Sequence, residues 1–88
     1  MKTFNLSWGS GIVAEEAQSS SEHRKPTIQL LEFTDGESRG ARQIRFCSYT
    51  TNGAYSRFPL IIDTSDIPKL KREIKKCPTL HKLLARLV

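Results

Sequence analysis

Apolar and polar residues alternate along much of the N-terminal half of the chain, a period of two that is typical of half-buried β-strands. Residues 3–8 show this pattern and predict a first strand, which the turn Gly9–Gly11 ends. A second strand begins at Ile12, but Glu15 is expected to cut it short. Residues 17–26 have almost no apolar content, so they are predicted to form a mobile loop.

Three longer strands are predicted after this loop. Segments 27–34, 42–51 and 54–63 are rich in apolar residues and are separated by turn signals. Asp35-Gly36 marks the first turn, and Asn52-Gly53 is the stronger signal because both positions of a type I′ hairpin turn need positive φ. The sequence therefore predicts an antiparallel sheet of three to four strands.

A basic, amphipathic helix is predicted after the sheet. Ser65 is a suitable N-cap, and Ile67, Leu70 and Ile74 recur at helical spacing to form one apolar stripe. Pro78 is expected to break or kink this helix. The segment beyond the kink carries four leucines, Leu80, Leu83, Leu84 and Leu87. The predicted fold class is α+β, an antiparallel sheet followed by a kinked C-terminal helix (β-β-β-β-α), in a single domain over residues 1–88.

Basic residues outnumber acidic ones by 14 to 9, which gives the 88-residue chain a net charge of +5. Such a charge attracts polyanions, of which nucleic acid is the commonest, although it also serves simply to keep a small domain soluble. Lys69, Arg72 and Lys76 align along one face of the predicted helix, and this face either contacts phosphates or is merely solvated. No stretch has the roughly 18 apolar residues of a membrane span, so no membrane partner is expected.

Cationic and aromatic residues are interleaved around the predicted hairpin. The residues concerned are Arg42, Arg45, Tyr49, Tyr55 and Arg57. Arginine neutralises phosphate and an aromatic ring offers a stacking surface to an unpaired base, so the pattern points to single-stranded DNA or RNA. Ordinary cross-strand packing and a solvated sheet face use the same residue types. A two-residue turn places Arg45 and Tyr49 on one face and Tyr55 and Arg57 on the other, unless a bulge realigns them.

Catalytic and metal chemistry is not predicted, and we expect neither enzyme activity nor a cofactor. Zinc sites usually draw their ligands from tight pairs, and the available residues do not form two such pairs: Cys47, Cys77, His23 and His81. Cys77 lies at a predicted helix C-terminus, where the helix dipole opposes a reactive thiolate. Two cysteines thirty residues apart are not a disulfide framework and indicate a reducing, cytoplasmic location.

The order of the predicted elements carries a resemblance to a known family. One strand ends at the acidic turn Asp35-Gly36, the next carries Ile44-Arg45, and the last ends in Leu60-Ile61-Ile62-Asp63 directly before a helix. In this order, residues 27–76 resemble the positive-cofactor-four-type transcriptional coactivator domain and its small bacterial relatives that bind single-stranded DNA, and residues 4–8 would supply the first strand.

The resemblance implies a homodimer whose sheet surface holds unpaired nucleic acid, in transcription or DNA maintenance. It implies that the four leucines of the terminal helix form the dimer contact, and that the contacts to nucleic acid are Arg42, Arg45, Tyr49 and Arg57. The alternative is a protein-interaction or adaptor domain in which the leucine-rich helix binds a partner and the net charge is incidental. A third interpretation, an enzyme that uses one of the two thiols, predicts that thiol modification abolishes activity.

Overall fold

The computed structural model describes residues 2–55 and 59–88 and shows one antiparallel sheet. The described residues form five strands, β1 (Thr3–Leu6), β2 (Gly9–Gln18), β3 (Arg24–Asp35), β4 (Arg42–Thr50) and β5 (Leu60–Asp63). Each strand pairs with the next one in the chain, so the spatial order is β1-β2-β3-β4-β5. The predicted α+β class is confirmed, but the sheet has five strands instead of the expected three to four.

The additional strand arises because β2 does not end at Glu15. It continues to Gln18 and pairs with β3, and only residues 19–23 connect the two strands, so the predicted loop over 17–26 is wrong in its bounds. Polar side chains support this pairing, since Gln18 Nε2 donates a hydrogen bond of 3.0 Å to Thr27 Oγ1. Contacts of this kind across the strands override the low β-propensity of the segment.

The N-terminal hairpin turns earlier than the predicted Gly9–Gly11. Ser7-Trp8 form the turn, and β2 already begins at Gly9. Gly11 lies against the backbone of β3, where a Cβ atom would collide with the carbonyl group of Glu32. Glycine is therefore needed at this position for the close approach of two strands.

The hairpin that follows β4 has a three-residue loop instead of the predicted two-residue turn. The backbone N–H of Thr50 donates to the carbonyl of Ala54 at 2.8 Å, and Gly53 has a φ of +87° inside the loop. Tyr49 consequently pairs with Tyr55. Because side chains alternate along a strand, this shift of one residue moves Tyr55 to the same face as Tyr49. The two-residue turn, which would place the two tyrosines on opposite faces, is not formed, and the realignment that the sequence left open puts them on one face.

The hydrophobic core lies on one face of the sheet, which we call the core face. Its buried members come from β1, β2 and β3: Phe4, Val13, Leu31 and Phe33. The ring centroids of the two phenylalanines are 4.8 Å apart in an edge-to-face arrangement. This core fills only the part of the face near the β1–β2 turn, so the remainder is open to other residues.

The opposite face of the sheet, which we call the second face, is also apolar. The register of β3, β4 and β5 places on it Ile28, Leu30, Ile44, Phe46, Leu60 and Ile62. Leu60 is largely exposed, and the others are half-buried. The second face therefore presents apolar surface that the described chain covers only in part.

Two short helices follow β5 after a 3₁₀ turn at Thr64–Asp66. They are α1 (Ile67–Ile74) and α2 (Pro78–Ala85), and the break between them confirms the predicted kink at Pro78. Neither helix contains a fully buried residue, and the predicted apolar stripe of α1 is only partly covered within the described chain. Neither is long and apolar enough to cross a membrane, as judged over the residues described.

Asp63, rather than the predicted Ser65, caps the start of the helical segment. Its Oδ1 accepts hydrogen bonds from the backbone N–H of Ser65 at 2.9 Å and from the Ser65 hydroxyl at 2.7 Å. Its Oδ2 accepts from Gln43 Nε2 at 3.4 Å. The bond from the Ser65 backbone is the main reason that the pKa of Asp63 lies below its ordinary value of 3.8.

We expect Asp63→Ala to lower the Tm at neutral pH. Because the folded-state pKa of Asp63 lies below its unfolded value, the cap stabilises the protein above the unfolded pKa. Its contribution is lost as the pH falls through the folded pKa, so the Tm difference from wild type should shrink between about pH 5 and pH 2 in circular-dichroism melts. Asp66→Ala is the matched control, since the Asp66 side chain makes no capping bond. A Tm difference that persists unchanged at low pH would contradict this account.

Candidate nucleic-acid interface

Polar residues occupy the half of the core face that lies beyond the hydrophobic core. The register of β2, β3 and β4 brings them side by side, and the N-terminus and the β4 hairpin complete the group. We call the following six residues the polar cluster: Lys2, Glu16, Gln29, Arg45, Tyr49 and Tyr55.

Gln29 is the centre of the polar cluster. Its side chain is almost wholly buried, with 1% of the residue exposed. The amide nitrogen donates to Glu16 Oε2 at 2.6 Å and to the Tyr49 hydroxyl at 3.1 Å. The amide oxygen accepts from Arg45 Nε at 2.8 Å and from Cys47 Sγ at 3.7 Å. One carboxamide on β3 thus connects side chains of β2 and β4.

Arg45 and Tyr49 together hold the Tyr55 ring. Arg45 is only 7% exposed, and its guanidinium carbon lies 5.0 Å from the centroid of the Tyr55 ring. Tyr49 packs against the same ring edge-to-face, with centroids 5.3 Å apart. Both contacts are attractive, through cation–π and aromatic interactions. Tyr55 nevertheless remains 43% exposed, so a fixed aromatic ring faces solvent at this end of the sheet.

Lys2 and Glu16 form an ion pair at the edge of the cluster. Lys2 Nζ lies 2.7 Å from Glu16 Oε2 and 4.9 Å from the centroid of the Tyr49 ring. This hydrogen bond is the main cause that raises the pKa of Lys2 and lowers the pKa of Glu16. Arg45 is a second cation near the same carboxylate. The polar cluster therefore holds two positive charges and one negative charge at neutral pH.

Two weakly acidic groups at the cluster stay neutral. Burial is the main reason that the pKa values of the Tyr55 phenol and the Cys47 thiol are raised. Both groups are therefore protonated at neutral pH, and Cys47 offers a thiol instead of the thiolate that a nucleophile requires. Over residues 2–55 and 59–88, no group of three or more His, Cys, Asp or Glu side chains is placed to hold a metal ion.

The structure brings together three of the five interleaved residues predicted at the hairpin. Arg45, Tyr49 and Tyr55 lie in one cluster on the core face. Arg42 does not join them because it is an odd number of positions from Arg45 and so points to the second face, where it pairs at 3.7 Å with a carboxylate of β3. Arg42 thus belongs to the same strand as Arg45 but lies on the opposite face. Arg57 lies outside the described residues.

The cations predicted on the helix face are separate from the polar cluster. Lys69, Arg72 and Lys76 are exposed on or just after α1. Lys69 lines a hollow with Leu60 of β5, and Lys76 Nζ donates to Glu73 Oε2 at 2.8 Å. None of the three cations has a hydrogen bond, ion pair or cation–π contact to the cluster within the described chain.

Half of the polar cluster was not among the residues singled out from the sequence. Gln29 carries a usable signal, because a buried polar residue inside the apolar run Ile28–Leu31 must find hydrogen-bond partners. Lys2 and Glu16 carry no such signal in the sequence, since their pairing depends on the register between β1, β2 and β3.

Comparison with known proteins assigns no family to this chain. Searches against protein-family models, curated proteins and solved structures find no match. The function has to be inferred from the chemistry of the residues that the fold brings together.

Proposed function

We propose that the chain binds single-stranded nucleic acid at the polar cluster and catalyses no reaction. The observation that carries this proposal is the Tyr55 ring, which is exposed to solvent while Arg45 and Tyr49 hold it in place. A fixed, accessible aromatic ring on a sheet is a stacking surface for an unpaired base. Little conformational entropy is lost when a base stacks on a ring that is already held.

Positive charge around the ring suits the phosphates on either side of the stacked base. Lys2 and Arg45 outnumber Glu16 within the cluster, and Lys25 pairs with Tyr49 in the register, which puts it on the same face. The net charge of +5 on the whole chain adds a long-range attraction for a polyanion.

An unpaired strand fits this surface better than a duplex. Base faces are buried in the stack of a duplex, so an exposed tyrosine reaches them only where the strand is single. The resemblance of residues 27–76 to the positive-cofactor-four-type domains supports the same class of ligand and a role in transcription or DNA maintenance. We place the protein in the cytoplasm, where its two thiols would stay reduced.

Fluorescence anisotropy of a labelled oligothymidine of about 20 nucleotides tests the proposal. We expect micromolar or tighter binding at low salt, and weaker binding as salt rises, with a log–log slope of roughly −0.7 for each phosphate neutralised. A duplex of equal length should bind less tightly. Arg42→Ala is the matched charge control, because it removes a cation from the second face and should leave the affinity within about twofold. No binding at low salt would refute the proposal.

We further propose that a second copy of the chain covers the exposed leucines. Leu83 and Leu87 are 54% and 59% exposed, and Leu87 lines a hollow with Ile28 and Phe46 of the second face. The leucines and the second face are thus neighbours, so one two-fold contact between identical chains can bury both. This contact leaves the polar cluster free, since the cluster lies on the core face.

A different protein is the alternative occupant of this leucine surface, which would make the chain an adaptor. We favour the second copy because the described core is thin, with four buried apolar side chains, and a small domain gains most from burying further apolar area. The implied resemblance points to the same homodimer. The oligomeric state in solution separates the two occupants.

A further inference from the structure

The buried amide of Gln29 is placed at the base of the proposed binding surface without being part of that surface. It lies on β3, the central strand, between Glu16 on β2 and Arg45 on β4. Only 1% of the residue is exposed, so no ligand reaches it in this conformation. Burying a carboxamide is costly unless its hydrogen bonds are made. The Gln29 amide must therefore have a role other than direct contact with the ligand.

All the hydrogen-bonding capacity of Gln29 is used inside the protein. A carboxamide has two N–H donors and two acceptor positions on its oxygen. The donors go to Glu16 Oε2 at 2.6 Å and Tyr49 Oη at 3.1 Å. The acceptor positions take Arg45 Nε at 2.8 Å and Cys47 Sγ at 3.7 Å. No donor or acceptor of this amide remains with which to read a base or bind a phosphate.

The orientation of the Gln29 amide is fixed by its two charged neighbours. The Glu16 carboxylate can only accept a hydrogen bond, and Arg45 Nε can only donate one. Turning the amide by half a rotation would set nitrogen against the guanidinium N–H and oxygen against the carboxylate. Lys2 strengthens this preference because it holds the carboxylate from the other side at 2.7 Å. The preferred orientation of the amide therefore presents its oxygen to Arg45.

We infer that Gln29 is a positioning residue of the nucleic-acid surface, which acts by holding the Arg45 guanidinium against the Tyr55 ring. The guanidinium is attached to Gln29 through Nε and lies 5.0 Å from the ring centroid, so the amide sets the location of both groups. The same amide holds the hydroxyl of Tyr49, whose ring also packs against Tyr55. This inference rests on the proposed function of the cluster, because a positioning role presupposes a ligand.

Gln29→Met tests the inference, with Gln43→Met as its matched control. Methionine is close to glutamine in size but makes no such hydrogen bonds. Gln43 is a half-buried amide on the same face, and it bonds to Trp8 Nε1 at 3.2 Å and to Asp63 instead of Arg45. We expect Gln29→Met to weaken oligothymidine binding about tenfold, and Gln43→Met to leave it within about twofold. In a Tyr55→Ala background, Gln29→Met should cause little further loss, because both changes act through one ring.

A second readout follows the guanidinium directly. In ¹⁵N NMR spectra, the Arg45 Nε–H should exchange slowly with water in the wild type and in Gln43→Met, and fast in Gln29→Met. If Gln29→Met does not fold, the double variant Gln29→Met/Glu16→Gln also removes the carboxylate that Gln29→Met leaves without its amide donor, and the Arg45 N–H should exchange fast in it. Tight oligothymidine binding by Gln29→Met, or a protected Arg45 N–H in that variant, would overturn the inference while leaving the proposed function intact. A wild type that does not bind would refute the proposed function, and the exchange of Arg45 would then decide whether Gln29 holds the guanidinium.

Discussion

Replacing Tyr55 with alanine is expected to weaken binding of a single-stranded oligonucleotide by about tenfold or more. Stacking of one base on an aromatic side chain contributes roughly 1–3 kcal/mol, and about 1.4 kcal/mol corresponds to a factor of ten in Kd. The loss should be similar at low and high salt, because the ring carries no charge. Anisotropy titrations of the variant and the wild type at two salt concentrations measure both quantities.

The partner variant Tyr55→Phe keeps the ring and should bind within about twofold of wild type, since the stacking face is unchanged. Tyr55→Phe should melt near the wild-type Tm, whereas Tyr55→Ala should melt a few degrees lower because it loses the ring contacts with Arg45 and Tyr49, so binding is compared well below both Tm values. If Tyr55→Ala binds as tightly as wild type, bases do not stack on this ring. The cationic face of α1, with Lys69 and Arg72, would then be the surface to examine.

Placing two carboxylates on the terminal helix, in the double variant Leu83→Asp/Leu87→Asp, is expected to convert a dimer into a monomer. Both leucines are more than half exposed in the single chain, so the substitution costs the monomer little. In a dimer, the same positions would bury unpaired charges, a change that costs several kcal/mol for each interface. Size-exclusion chromatography with light scattering gives the mass of each form.

Lys82→Asp is the control for the leucine variants, because it also adds a carboxylate to α2 but at a position that is already polar. It should remain dimeric. A wild-type protein that is monomeric at tens of micromolar would contradict self-association, since a stable dimer of this kind has a Kd well below that concentration. The exposed leucines would then favour the adaptor alternative.

Local patterns were sufficient to predict most of the fold. β3 and β4 follow from their apolar runs, and the break before α2 follows from Pro78. The continuation of β2 to Gln18 was not predictable in this way, because its residues are polar and exposed. That part of the strand depends on partners in the next strand, such as Thr27, and a pattern within one segment contains no information about them.

The sequence predicts several of the residues that form the polar cluster, but it does not predict which face of the sheet each one lies on. Arg45 and Tyr49 stand out because cationic and aromatic residues alternate on β4. Tyr55 was expected on the opposite face, since Asn52-Gly53 favours a two-residue turn, whereas the loop is one residue longer. The position of Gln29 inside an apolar run indicates that it needs hydrogen-bond partners, but the sequence does not identify them because they come from β2 and β4. The arrangement of the polar cluster is set by hydrogen bonds between strands, which the sequence alone does not show.

The length of the loop after β4 has a consequence for how this chain can change over evolution or in engineering. Surface loops ordinarily tolerate insertions and deletions of any size. Here Thr50 pairs with Ala54 across a loop of three residues, and this pairing keeps Tyr55 on the face of Arg45. A variant that paired Thr51 with Ala54 instead, as a two-residue turn would, sends Tyr55 to the other face and leaves Arg45 without its ring. The loop residues can therefore vary in kind and in number as long as Thr50 and Ala54 stay paired, whereas a shift of that pairing by one residue removes the stacking surface.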